Sequence, residues 1–163
     1  MADSKPKEKT YGALVASLLQ DVGYRAKLDL DEEIIRSSAG GYNIIIFPRM
    51  DASFPKFGNV QFRCSVVREG TNVELEHVNR YNRNLRFCKM YLDDDRDIII
   101  ESDFFFDALS EDASQRLESI MLLVEGSISE LKQTIASSFE MAASTDKSAG
   151  GRSVEDDVSA AGQ

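Results

Sequence analysis

The chain has 163 residues, 42% of them hydrophobic and 29% charged, the balance of one globular domain with a core of its own and some chain to spare. Its 19 basic and 28 acidic side chains leave a net charge of -9, which repels phosphate backbones and anionic bilayers, so neither nucleic acid nor membrane is an expected partner. Only Cys64 and Cys88 carry thiols, both within apolar-alternating stretches, as reduced core cysteines in a cytoplasmic protein would be.

Residues 1–9 mix charges of both signs without an apolar run, which reads as a disordered leader rather than a signal peptide or anchor. Thr10 then offers an N-cap, and Gly23 a C-terminal glycine, for a helix whose Tyr11, Leu14, Val15, Leu18, Leu19 and Val22 fall on one face. Strands are expected over Arg25 to Leu30 and Ile34 to Ser38, across the acidic turn Asp31-Glu32-Glu33. Gly40-Gly41 marks a hairpin into a strand from Tyr42 to Phe47, and Pro48 and Pro55 mark a loop. Val60, Phe62, Cys64 and Val66 alternate with Gln61, Arg63 and Ser65, a strand with one wet face.

Thr71-Asn72-Val73-Glu74 has the capping-box pattern and opens a helix with Leu75, Val78, Tyr81 and Leu85 on its apolar side. Asn82 shares that side, and a buried amide needs partners, so it is expected to tie the helix to a neighbouring backbone segment. A second hairpin follows, Phe87 to Leu92 and Ile98 to Phe106, joined by Asp93-Asp94-Asp95-Arg96-Asp97. From Ser110 as N-cap, the last helix gathers Ala113, Leu117, Ile120, Met121, Val124, Ile128, Leu131, Ile135 and Phe139 on one side, with Gly126 a place for a bend or a close approach. Residues 142–163 turn to Ala, Ser, Gly and Asp and read as a disordered tail. The domain is thus bounded at 10–141. Its class is α+β and two-layered: an antiparallel sheet of about five strands covered on one face by helices, in the order α-β-β-β-α-β-β-α, with a possible fourth strand in the first run.

The stretch Val78-Asn79-Arg80-Tyr81-Asn82-Arg83-Asn84-Leu85-Arg86-Phe87, following Val60-Gln61-Phe62-Arg63, carries a pattern of a hydrophobic residue, then N-x-aromatic-N, then an arginine-phenylalanine entry into a strand ending Tyr91-Leu92-Asp93. In this the chain resembles the YbjN family of bacterial proteins over residues 11–139, with Tyr81 where tryptophan is commoner and Asp107-Ala108-Leu109 where a glycine pair is usual. The resemblance implies the two-layer fold of type III secretion chaperones and a role in sensory transduction or stress regulation, with Asn79, Tyr81, Asn82 and Phe87 as its structural signature.

Chemistry is harder to find. Asp93, Asp95 and Asp97 alternate as in a calcium loop, but Ile98 stands where such a loop needs glycine and Phe104 where it needs a bidentate acid, so a solvated turn is expected. His77 is the lone histidine and has no nucleophile or orienting carboxylate set around it in the pattern, and Gly40-Gly41 lacks the rest of a phosphate loop. No catalytic residue, metal or cofactor is expected, and the protein is read as a non-enzymatic regulator or adaptor. Candidate partner-binding residues are Arg80, Arg83 and Arg86 on one flank of the middle helix, Tyr91 and Phe105 on the uncovered sheet face with Ile99 and Phe87, and Leu122 and Leu123 off the apolar side of the last helix. The expected partner is a protein, with a homodimer the expected state; a chaperone holding an extended client segment is the alternative.

Overall fold

The computed structural model describes residues 10–50, 58–66 and 73–149. Three helices and six strands follow one another as α1 (Tyr11–Asp21), β1 (Ala26–Asp29), β2 (Ile34–Ala39), β3 (Tyr42–Met50), β4 (Gly58–Val66), α2 (Leu75–Asn84), β5 (Lys89–Leu92), β6 (Ile98–Phe106) and α3 (Ala113–Ala149). The strands form one open sheet in the order β1-β2-β3-β4-β6-β5 with every neighbouring pair antiparallel. The α+β architecture and the order of elements are those read from the sequence, with six strands rather than five. Inside the sheet β4 and β6 pair over nine residues, from Gly58↔Phe106 to Val66↔Ile98.

Local chemistry sets the ends of the elements. Thr10 Oγ1 accepts from the Ala13 N–H at 3.3 Å, capping α1. Its far end closes with Tyr24 N–H to Leu19 O at 2.9 Å and Gly23 N–H to Gln20 O at 3.0 Å, with Gly23 at φ 91, the left-handed geometry that glycine adopts without strain. The β2–β3 turn uses Gly40 and Gly41, both at positive φ. Strand β3 runs on through Pro48 to Met50 where a loop was expected; Pro48 lies beyond the last β2 partner of β3, Ile46, so its missing N–H interrupts no ladder on that side. Pro55 lies outside the described residues.

The middle helix starts differently from the sequence expectation. Its N-cap is Glu74, with no side-chain cap bond, and Leu75 is exposed rather than core-facing. Val73 and Val78 are both buried in the core, at the N′ and N4 positions, so an apolar staple fixes the entry of the chain where a capping box was expected. Thr71 and Asn72, like residues 1–9, lie outside the described residues. The last helix begins at Ala113, three residues after the expected cap Ser110, and runs to Ala149, beyond the 141 at which the domain was expected to end. Its 37 residues span about 55 Å. At Gly126 nothing lies within 4 Å of where a Cβ would stand, so no close approach demands the glycine.

All three helices cover the same face of the sheet. Val15 and Leu19 of α1, Val78 and Tyr81 of α2, and Leu117, Met121, Val124, Ile128 and Leu131 of α3 share one buried cluster with Ile35, Ile44, Ile46, Val60, Phe62 and Ile100. The hydroxyl end of the Tyr11 ring lies against Gly58, where any Cβ would collide with it, and the hydroxyl donates to Phe106 O at 2.8 Å. Lys132 of α3 clasps the β2–β3 hairpin, donating from Nζ to Gly40 O at 2.6 Å and lying 5.1 Å from the centre of the Tyr42 ring.

Candidate interaction surface

Strand alternation sends Ile98, Ile100 and Phe106 to the helices and Ile99, Glu101, Asp103 and Phe105 of the same strand to the uncovered face. By register Asn59, Gln61, Arg63 and Ser65 of β4 stand beside the latter four, with Lys89 and Tyr91 of β5 across from Glu101 and Ile99. Glu101 is the centre of this array. Its side chain is only 11% exposed, and burying a carboxylate requires compensation: Tyr91 donates from its hydroxyl to Oε1 at 2.6 Å, Arg63 Nε stands 3.9 Å away and Lys89 Nζ 3.4 Å away. Burial, and then Glu101, push the Tyr91 phenol up to about 12.

Phe105 is 84% exposed although β6 is an interior strand. The apolar patch expected around it is smaller than the sequence suggests. Ile99 is buried, Tyr91 is half-buried and turned to Glu101, and Phe87 lies outside the sheet because β5 begins at Lys89. Phe87 is instead 68% exposed on the approach to β5, with φ 68, a left-handed conformation that costs a bulky residue on the order of 1–3 kcal/mol. The next residue holds it there: the Cys88 thiol is buried between Ser102 Oγ at 3.0 Å and Ser127 Oγ at 2.9 Å.

The N-x-aromatic-N signature divides between two roles. Tyr81 is buried and donates to Ser127 O at 2.9 Å, joining α2 to α3, and burial raises its phenol pKa. Asn82 is exposed on one side, not buried, yet both ends of its amide are engaged: Nδ2 donates to Met90 O at 2.9 Å and Oδ1 accepts from Met90 N–H at 2.7 Å. It thereby occupies the free edge of β5 as a further strand would. Gln20 does the same in part at the opposite edge, donating to Ala26 O at 2.7 Å. Asn79 remains on the surface beside Arg83 and Glu76 in a shallow depression. Arg80 reaches Glu76 at 3.8 Å, while Arg83 and Arg86 are exposed. Leu122 and Leu123 are 60% and 45% exposed on the side of α3 turned from the core. Because α3 covers the other face of the sheet, this leucine pair and Phe105 belong to separate surfaces.

The acidic turn before β6 is explained by its own backbone. Asp93 Oδ1 accepts from the N–H groups of Asp95 at 3.1 Å and Asp97 at 2.8 Å, and Arg96 takes the left-handed conformation at φ 64. Among the described residues no group of three or more His, Cys, Asp or Glu is placed to hold a metal ion. The sequence reading missed Arg63, Lys89 and Glu101; the signal was a carboxylate following the apolar run Ile98-Ile99-Ile100 in a strand, which has to be matched by cations on its neighbours.

Fold and surface together define a two-layer α+β protein with helices on one sheet face and a mixed charged and aromatic surface on the other. The chain belongs to the YbjN family, described as "Putative bacterial sensory transduction regulator", whose model matches residues 12–131. That span runs from α1 into the middle of α3 and includes the whole sheet. No curated protein matches the chain. Among the described residues no helix is long and apolar enough to cross a membrane.

Proposed function

We propose that this YbjN protein is a non-enzymatic regulatory adaptor of the bacterial cytoplasm, acting in sensory or stress regulation by binding another protein through its open sheet face. The observation that carries this reading is Phe105, a large aromatic held 84% exposed by an interior strand. Burying such a side chain on a partner contributes about 1.5–3 kcal/mol, enough to make it an anchor. Self-association belongs to the other side of the molecule, where Leu122 and Leu123 give α3 an outward apolar strip suited to a homodimer.

Capture of partners from the native cytoplasm by the wild-type chain and by Phe105→Asp, with mass spectrometry of what is retained, tests the reading. A partner present with the wild type and absent with Phe105→Asp supports it; identical retention by the two removes the open face as the binding surface. If the retained species is one unfolded effector segment, the protein is a chaperone. Light scattering separates the second surface, since Leu122→Asp and Leu123→Asp should turn a dimer into a monomer, and a wild-type monomer would end the homodimer proposal.

A further inference from the structure

The uncovered face carries the opposite charge from the rest of the chain. In a protein of net charge -9, it collects Lys27, Arg36, Arg49, Arg63 and Lys89 against Asp29, Glu101 and Asp103, by strand register and alternation. The excess is not spread evenly. At the β4–β6 end Glu101 takes up Arg63 and Lys89, whereas over β1 to β3 an open cleft of about 760 Å³ has Lys27, Arg36, Ser38, Asn43 and Ile45 among its lining residues, with Arg25 just before β1 and Gln20 of α1 at the edge. No carboxylate is among its lining residues. Arg36 is shared with Glu32 at 2.7 Å and Asp29 at 3.8 Å, while Arg25 and Lys27 form no ion pair with the described residues. Two unpaired cations thus stand with the polar Gln20, Ser38 and Asn43 beside the apolar Ile45.

From this charge complementarity we infer that the cleft over β1 to β3 binds an acidic, extended segment of the partner protein, with Arg25 and Lys27 meeting its carboxylates. The inference rests on the protein-binding reading above and names the chemistry of the partner. Strands stand about 4.8 Å apart, so a segment crossing three of them needs only about four residues at some 3.3 Å each. A long polyanion does not fit this geometry: the surface beyond the strip carries the chain's acidic excess and repels a phosphate backbone running past it. A short acidic segment gains the attraction without that repulsion, and electrostatic steering speeds its encounter.

Fluorescence anisotropy on the full chain tests this with a labelled synthetic peptide of about ten residues in which Glu alternates with Val, its Gln-for-Glu counterpart, single-stranded DNA of matching length, and inorganic phosphate as competitor. The Glu peptide should bind, Arg25→Glu and Lys27→Glu should each weaken it about tenfold, and the Gln peptide should lose at least as much, tenfold being about 1.4 kcal/mol. Both substitutions are at exposed positions, and unchanged melting curves establish that the fold is kept. Equal affinity for the Gln peptide, or indifference to both substitutions, overturns the inference. So does equally tight DNA binding, which makes the cleft a nucleic-acid site, or displacement of the peptide by millimolar phosphate, which makes it a site for a free anion. A failed peptide titration alongside a partner still captured through Phe105 removes this inference alone; failure of both removes the protein-binding reading as well.

Discussion

The two faces of the sheet are built from alternate residues of the same strands, and they differ in what they contribute. On the helix side Val60, Phe62, Cys64 and Val66 of β4 meet Ile98, Ile100 and Phe106 of β6 in a single apolar cluster sealed by α1, α2 and α3. On the other side the intervening Gln61, Arg63, Glu101 and Phe105 are charged, amide-bearing or aromatic and, among the described residues, have no helix over them. A slip of one residue between β4 and β6 would exchange the two sets, so the apolar face fixes the register and the polar face is positioned by it. Stability is thus assigned to one side of the sheet and the proposed recognition to the other, and substitutions should separate them.

The widest separation is between Leu117→Ala and Phe105→Ala. Leu117 of α3 is fully buried against the sheet, and its truncation should cost about 3 kcal/mol in urea unfolding, as transfer and cavity terms add. Phe105→Ala should stay within about 0.5 kcal/mol of the wild type. A Phe105 effect as large as that of Leu117 would mean that the open face is part of the core, and the comparison would fail. Next in size is Gly58→Ala. The added methyl meets the Tyr11 ring, which is held by its bond to Phe106 O, so a loss of about 2 kcal/mol is expected. In a Tyr11→Ala background the same change should be nearly free, the sign that one ring accounts for the penalty.

At the sheet edge Asn82→Leu should cost about 1 kcal/mol, because water can replace the amide at a partly exposed position. The more telling reading is local: hydrogen exchange at the Met90 amide should accelerate while amides of β4 keep their protection. Unaltered exchange at Met90 would show that Asn82 does not hold that edge.

Most of the helix face was legible in the sequence because it depends on period alone. The buried apolar residues of α3 from Ala113 to Ile135 are those its 3.6-residue spacing predicts, and Gly40-Gly41 announces its turn by needing two positive φ values. The open face was much less legible. Alternation places Phe105 and Ile99 together on it, but only the pairing β4-β6-β5 brings Arg63, Lys89 and Tyr91 around Glu101, and strand order is a property of the α2 excursion rather than of any local pattern. For the same reason the cleft at Arg25, Lys27 and Arg36 could not be read in advance: its cations come from β1, the residue before it and β2, and the neighbouring acids Asp29 of β1 and Glu32 of the turn mask the local charge. Helix ends were misplaced where tertiary contacts took over from capping, as when Val73 and Val78 set the start of α2.

The smallest effect is silent at neutral pH and reports each face separately in alkali. Burial pushes the Cys64 thiol, on the helix face, from 9.0 up to about 11. Tyr91, on the open face, is moved from 10.0 up to about 12 by burial and by Glu101. Below pH 9 both groups are neutral in the folded and unfolded chain and add no slope. As pH rises through 9 to 11 the unfolded chain has released the Cys64 proton and the native one has not, so the unfolded state is favoured and stability falls; above that range the contribution is flat. The Tyr91 contribution follows one step later, between 10 and 12, together with Tyr11 and Tyr81, whose phenols burial raises further. Urea midpoints measured across this range should therefore begin to decline near pH 9 in the wild type and only near pH 10 in Cys64→Ala. In Tyr91→Phe the onset should stay near pH 9 and only the later part of the decline should shrink. An onset left at pH 9 in Cys64→Ala would mean that the thiol is not shielded, and the β4 side of the core would have to be more open than its packing against Phe62 and Val66 allows.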